Sequence, residues 1–301
     1  MSCDISVVVV NYNTKNSTVA CLKSLIKYSS GVKTEIILVD NASSDGSLAA
    51  IEKVRPKATI IRNHSNLGFG TANNQGAKIA KGRFILFLNS DTLLFENSLM
   101  KILDWMNAHK EADVVACRLV NPDNTLQYSL GHFPDLPRIV CWMGFIDDIP
   151  GIKRIFPAFH LEHPKWYQKD MPVDWATGAF LMIRKEVFEK TGGFDEKMFM
   201  YGEEVEWELR IKKLGFKIFF TPVTSVIHFG QISSNKISSS FKIISEYKGV
   251  LYILKKHYSK LSFILSRLFM RVGALLRLFI FGIIGNNKDA RDTYEKTLFS
   301  V

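Results

Sequence analysis

The chain has 301 residues, 47% of them apolar and 23% charged, with a formal net charge of +10. That apolar share excludes a disordered chain, and the length is enough to bury a full core. The charge is uneven: residues 236–301 hold twelve Lys or Arg against four Asp or Glu, a net of +8, which leaves +2 for the first 235 residues. A nucleic-acid-binding body would be basic throughout, so no nucleic-acid partner is expected. Cys3, Cys21, Cys117 and Cys141 form no CxxC pair, so neither a disulfide framework nor a zinc site is expected, and a reducing compartment fits. The start Met1-Ser2-Cys3-Asp4 has no basic region ahead of an apolar run, so no signal peptide is expected.

In chain order, Ile5 to Val10 is β-branched and almost entirely apolar, as expected of a strand buried on both faces. A helix over Asn16 to Lys27 follows, then a strand over Glu35 to Val39. Next come a helix over Ser44 to Val54, a strand over Ala58 to Ile61 and a helix over Gly68 to Ala80. A strand over Arg83 to Leu88 and a helix over Ser98 to His109 complete this part. Strands alternating with helices of this length predict an α/β fold with a Rossmann-like, mostly parallel sheet and helices on both faces. From 120 to 171 the pattern dissolves at Pro122, Pro134, Pro137, Pro150, Pro157 and Pro164, and an irregular lid or acceptor-side region is expected. Order returns over Val173 to Ile183. An acidic helix then runs to Leu214, followed by two short strands, Lys217 to Phe220 and Ser225 to His228. The expected division is a body over 1–235 and a basic amphipathic helical extension over 236–301.

That extension is apolar over Leu261 to Ile284 but carries Arg267, Arg271 and Arg277. Each arginine costs about 2.5–3.5 kcal/mol near a bilayer centre, so a spanning helix is disfavoured. A helix lying on an anionic membrane surface avoids the cost, and the competing reading is a helix packed on the body or on another copy. The expected location is cytoplasmic, peripheral on the inner face of the cell membrane.

In open parallel sheets ligands bind beyond the carboxyl ends of the strands. Three polar clusters fall there: Asn11-Tyr12-Asn13, Asp40-Asn41 and Asn89-Ser90-Asp91. Asp40 can accept hydrogen bonds from a nucleotide base or ribose, or can simply serve a turn and helix cap. Asn66-Leu67-Gly68-Phe69-Gly70 lacks the third glycine of a dinucleotide fingerprint and any Walker lysine. It either offers helix N–H groups to a nucleotide sugar or lets the helix pack closely on the sheet. Asp91, at the end of an apolar strand, suits Mg²⁺ or Mn²⁺, which favour oxygen ligands and leave room for a diphosphate. His228 ends a late strand and gains weight only beside that acid. Glu203-Glu204-Val205-Glu206 opens a helix whose dipole favours acids. Partly covered by Phe199, Tyr201 and Trp207, such a carboxylate has its pKa raised toward that of a general base.

The runs Val7 to Asn13, Asp40 to Gly46, Asn66 to Phe69, Leu88 to Asp91 and Gly192 to Glu206 together resemble family 2 glycosyltransferases, the rhamnosyltransferase-like branch most of all. The resemblance covers residues 5 to 230 with the motifs in order. It implies a GT-A fold and an inverting, metal-dependent transfer of a single sugar from a nucleotide-diphosphate sugar, dTDP-rhamnose or a UDP-hexose, to a glycan acceptor. The acceptor is expected to be lipid-linked, in cell-surface polysaccharide synthesis. It assigns Asp40 to the nucleotide and Trp175, Thr177 and Gly178 to the acceptor side; the strand-end clusters and the glycine-rich loop add Asn11, Asn13, Asn66, Gly68 and Ser90 as expected donor-binding residues. Asp91 and His228 fall to the Mg²⁺ or Mn²⁺ ion, and Glu204, with Glu203, to catalysis. Two departures stand out: Asn89 replaces the first aspartate of the DxD-type motif, and Glu204 and Glu206 replace aspartates. The processive Gln-x-x-Arg-Trp signature is missing, which implies one sugar per encounter. A nucleotidyltransferase and a catalytically weak sugar-nucleotide-binding protein are the competing readings; the first would need a glycine- and arginine-rich loop that Asn11 to Ser17 does not supply.

Overall fold

The computed structural model of the chain describes residues 3–54, 58–146, 149, 158–230 and 239–301. In order, β1 (Ile5–Asn11), α1 (Lys15–Lys27), β2 (Thr34–Asp40), α2 (Ser47–Val54), β3 (Thr59–Arg62), α3 (Phe69–Lys78), β4 (Phe84–Asn89), β5 (Thr92–Leu93) and α4 (Ser98–Ala108) carry the expected alternation. They are followed by β6 (Val114–Val120), β7 (Leu126–Gln127), β8 (Leu130–Gly131), α5 (Leu136–Met143), β9 (Met171–Pro172), β10 (Trp175–Ala176), β11 (Phe180–Arg184), α6 (Lys185–Thr191), α7 (Glu203–Lys213) and β12 (Ile218–His228). The helices α8 (Ser239–His257), α9 (Lys260–Arg277) and α10 (Lys288–Ser300) close the chain, with a π-helical stretch over Leu278–Ile284 between the last two.

Two compact units result. One comprises Met1–Leu130, Glu162–Phe199 and Glu203–Asn235; the other comprises Gly131–Leu161, Met200–Gly202 and Lys236–Val301. The first is built on a sheet ordered β3-β2-β1-β4-β11-β6-β12-β5. It is parallel from β3 to β4, antiparallel where β11 enters, and parallel again between β6 and β12. Val7, Val8 and Val9 of β1 and Phe84 to Phe87 of β4 are wholly buried, because a central parallel strand is covered on both faces. Each such side chain contributes about 1.5–3 kcal/mol relative to exposure. The register sets Asn11 against Asp40 and Val10 against Asn89, so the polar ends of β1, β2 and β4 lie side by side. In the second unit, α5 packs on α9, and α8 packs on both α9 and α10.

Several expectations change. The region over 120–171 is not wholly irregular: α5 forms there, with Pro137 in its first turn, where a missing N–H is not missed, and the Asp135 carboxylate accepting from the Arg138 amide. Residues 147–148 and 150–157 of the expected lid, and 236–238 of the expected extension, lie outside the described residues. β6 and α6 were not anticipated. The two late strands are one, β12, irregular between Thr221 and Ser225, where Pro222 has no N–H to give the ladder. Arg277 is not on an exposed face of α9 but is 7% exposed.

Candidate active site

The site grows from the sheet edge. Asn11 is fully buried, and its amide nitrogen donates to Asp40 Oδ1 at 2.6 Å and to the Ser43 and Ser47 hydroxyls at 2.9 Å. Its carbonyl accepts from Thr14 at 2.9 Å and Thr18 at 2.7 Å. Thr14 in turn stands 3.2 Å from the Ser90 hydroxyl, so one buried network links the ends of β1, β2 and β4. Asp40, 2% exposed, also accepts from the Ser43 amide at 3.0 Å. Asn13, at φ 53°, accepts from the Ser44 amide at 2.8 Å and folds the β1 loop onto the β2 loop.

Beside them lies the start of α3. Asn66 Oδ1 accepts from the Gly68 amide at 3.0 Å, and Asn41 donates to the Gly68 carbonyl at 3.1 Å. Gly68 has φ +85°, and a Cβ there would fall 2.4 Å from the Phe199 carbonyl oxygen, so only glycine lets this loop meet the segment ahead of α7. Further along α3 the other reading of this glycine-rich run holds as well, since a Cβ on Gly76 would lie 2.5 Å from Val8.

Past β4, Asp91 is 7% exposed and its Oδ1 lies 3.3 Å from His228 Nε2. β5 pairs antiparallel with β12 and sets His228 opposite Thr92, which is what brings residues 91 and 228 together. His228 Nδ1 stands 2.7 Å from Gln127 Oε1, an acceptor that favours the tautomer protonated on Nδ1; in that tautomer Nε2, 3.3 Å from Asp91, carries a lone pair. Asn89 Nδ2 lies 3.3 Å from the same nitrogen, and Asn89 Oδ1 is buried without a hydrogen-bond partner. A carboxylate oxygen, an imidazole lone pair and an unpartnered amide oxygen gathered at one sheet edge fit a hard divalent cation. Among the described residues, no group of three or more His, Cys, Asp and Glu stands together. Two charged or imidazole ligands suit an ion that takes its other oxygens from a diphosphate and water.

The remaining wall comes from β10, the turn into β11, and α7. Asn89 N donates to the Ala179 carbonyl at 3.0 Å, so the segment Trp175 to Gly178 reaches the same edge as Asp91. Trp175 is 7% exposed, and Thr177 N donates to the Ser129 carbonyl at 2.9 Å. A Cβ on Gly178 would stand 3.4 Å from the Phe69 ring and 4.0 Å from Glu204 Cβ, so Gly178 lies between the first residues of α3 and α7. Glu204 is partly exposed, while Glu203 is 4% exposed with its Cγ against Gly70. Glu206 faces the other way. It is fully buried and accepts from Arg210 Nε at 3.0 Å and Nη2 at 2.9 Å. Arg210 also donates to the carbonyls of Thr191 and Gly193 at 2.5 Å. Trp207 has no exposed surface and packs 4.4 Å from the Phe194 ring.

The structure therefore gathers Asp91, His228 and Asn89 in one cluster, joined through Ala179 and Gly178 to Glu204. The Asn11, Asn13, Asp40, Asn66, Gly68 and Ser90 loops adjoin them. Sequence reasoning missed Gln127, which sits in a two-residue strand, and Glu208. Glu208 accepts from the Ala176 amide at 3.1 Å, and burial pushes its pKa well up, with Glu204 adding to the rise. The one sequence signal for Glu208 is its place one helical turn beyond Glu204.

Residues 6–192, more than half of the chain, match the family model of glycosyl transferase family 2. The chain belongs to that family. It is a glycosyltransferase of GT-A fold, and its relatives include rhamnosyltransferases. The transferase is 24% identical over 241 residues to the N-acetylglucosaminyl-diphospho-decaprenol L-rhamnosyltransferase of Mycobacterium tuberculosis, covering 74% of this chain and 75% of that one. It is 27% identical over 170 residues to the rhamnosyltransferase WbbL of Escherichia coli, covering 54% of this chain and 61% of that one. A mannosyltransferase from Pyrobaculum calidifontis, solved with GDP-Man and Mn²⁺, superposes with a TM-score of 0.61 over 100% of this chain and 86% of its own, at 15% identity.

Proposed function

We propose that the transferase moves a single sugar, with inversion, from a nucleotide-diphosphate sugar to a lipid-linked glycan, in the assembly of a cell-surface polysaccharide. The donor is dTDP-rhamnose or a UDP-hexose. The arrangement that carries this reading is the line from Asp91 and His228 through Ala179 and Gly178 to Glu204: an anion-compensating end and a proton-accepting end along one edge. The names of the rhamnosyltransferase relatives support the sugar and the lipid-linked acceptor. Asp91 and His228 would hold Mg²⁺ or Mn²⁺, which when bound offsets the negative charge of the diphosphate as it leaves.

The chain's own residues do the rest. Asn13, Asp40, Asn66, Gly68 and Ser90 line the donor side, and Asn11 keeps the three loops in register from beneath. Trp175, Thr177 and Gly178 form the acceptor side. Glu204 accepts the proton of the acceptor hydroxyl while its oxygen bonds to the anomeric carbon. The bond from that carbon to the diphosphate breaks on the opposite face, and the electron pair leaves with the nucleotide. Glu203, more deeply buried, positions the first turn of α7. The work takes place on the inner face of the membrane, where the lipid-linked acceptor is held.

Glu204→Gln tests the assignment. The amide cannot take the proton, so turnover should fall by about 10²–10⁴-fold. Donor binding, followed by calorimetry, should not change. Wild-type turnover in that variant removes Glu204 from the chemistry.

A further inference from the structure

Helix α9 is packed inside out. Ser266, Met270, Gly273, Ala274 and Arg277 are its buried side. The guanidinium of Arg277 donates to the carbonyls of Met143 at 2.9 Å, Trp142 at 2.7 Å and Gly273 at 3.3 Å, and lies 4.2 Å above the Phe145 ring. A Cβ on Gly273 would be 2.6 Å from Met143 Sδ, so α5 and α9 touch backbone to side chain and the rotation of α9 is fixed. The outward side is the apolar one. Leu261 is 66% exposed, Ile264 50%, Leu268 55%, Val272 52%, Leu275 53% and Phe279 54%. At about 100° per residue these six lie within about 90° of arc, a single continuous stripe. Lys260, Arg267 and Arg271, all exposed, fall within about 40° of each other along one edge of it.

A water-facing helix turns its Leu and Phe inward, whereas here they face outward beside the exposed Lys260, Arg267 and Arg271, and Arg277 is the charged residue that is buried. Contiguous apolar surface of this kind is covered by something in the working protein. No helix of the described residues is long and apolar enough to cross a membrane, so the stripe is not half of a spanning segment. The net +8 of residues 236–301 selects the partner by charge.

We propose that the stripe running from Leu261 on α9 to Phe279 in the π-helical stretch that follows lies in the headgroup–acyl boundary of an anionic bilayer, with Lys260, Arg267 and Arg271 on lipid phosphates. The inference deepens the reading of the chain as a transferase acting on lipid-linked glycans, and names the face that docks. Arg277 takes no part; it is the internal tie that holds the stripe outward.

The test uses the full chain and vesicles of phosphatidylcholine with or without phosphatidylglycerol, in the absence of donor and acceptor. The wild type should sediment with the phosphatidylglycerol vesicles, and less so as salt rises. Leu268→Glu with Val272→Glu should lower that binding at least tenfold while leaving the unfolding temperature and transfer to a water-soluble acceptor analogue unchanged. Arg267→Gln and Arg271→Gln should each reduce the preference for phosphatidylglycerol by about fivefold. Vesicle binding that survives the double glutamate variant overturns the proposal. So does a self-associated wild type that ignores vesicles and becomes monomeric in that variant, since a second copy would then be the cover. Loss of transfer to the soluble analogue in the wild type would instead count against the enzymatic reading, and leaves the vesicle result standing on its own.

Discussion

His228 has two ring nitrogens with two different duties, and Gln127 decides which is which. By accepting a hydrogen bond from Nδ1–H at 2.7 Å, Gln127 Oε1 favours the tautomer in which Nε2, 3.3 Å from Asp91 Oδ1, carries the lone pair. Gln127 is itself oriented, because its Nε2 donates to Asn121 Oδ1 at 3.2 Å. A partner on the far nitrogen of a ligating imidazole commonly sets metal affinity by 10–100-fold. Gln127→Leu should therefore weaken Mn²⁺ binding by about 10–100-fold in calorimetry, while leaving the fold intact. Unchanged Mn²⁺ affinity would mean that the ring orientation is set elsewhere. Asp91 and His228 were visible in the sequence because each ends an apolar run, which is where a strand delivers a side chain to a sheet edge. Gln127 was not, because its meaning comes from the pairing of β7 with β6 and from a partner 101 positions away.

Helix α7 serves three directions from one short stretch, and the spacing of its acids explains how. Glu204 opens toward Gly178, Glu206 turns inward to Arg210, and Glu208, one turn beyond Glu204, reaches the Ala176 amide. Arg210 compensates the buried Glu206 and ties down the Gly192–Gly193 turn through the Thr191 and Gly193 carbonyls. Removing one partner of a buried pair leaves an uncompensated charge, so Arg210→Met should cost about 3–5 kcal/mol in denaturant unfolding. A loss below 1 kcal/mol would mean the carboxylate finds other compensation. Glu208 behaves differently. Burial raises its pKa above the ordinary 4.5, so at pH above that value the unfolded chain has released a proton that the folded chain retains. Stability on this account falls as pH rises from 4.5 toward the folded value. Glu208→Gln keeps an oxygen for the Ala176 amide and removes the titration. Its unfolding temperature should fall less than that of the wild type between weakly acidic and neutral pH. Equal slopes would show that Glu208 does not carry the effect. At this scale the alternating half of the fold was legible, since β1, β2 and β4 are apolar on both faces and α1 to α4 follow at regular spacing. α5 was hidden because Pro137 reads as a breaker unless Asp135 is seen to cap the turn that contains it. β12 read as two strands because Pro222 interrupts a ladder that resumes at Ser225.

Over the whole molecule, donor and cation binding at the proposed residues would couple to the stability of the first unit, because those residues sit at strand ends and in loops that its sheet holds together. Asn11 and Asp40 are paired in the β1–β2 register, and Asn89 is bonded both to its strand neighbours and to Ala179, so a ligand that bridges these loops binds the folded chain alone. Such a ligand at about 100 times its dissociation constant adds about 2.7 kcal/mol to unfolding. A panel of dTDP-, UDP- and GDP-sugars, each with Mn²⁺ or with chelator, should therefore raise the unfolding temperature for one nucleotide class, and by more with the cation than with chelator. In Asp91→Ala the cation-dependent part of that rise should vanish, whereas any part due to base and ribose contacts at Asp40 should persist. The two halves of the donor are then separated by one substitution, because Asp40 and Asp91 lie at the ends of different strands. If chelator makes no difference to the wild-type rise, the donor is held without a metal, and Asp91 and His228 are part of the junction between β5 and β12 rather than a cation site.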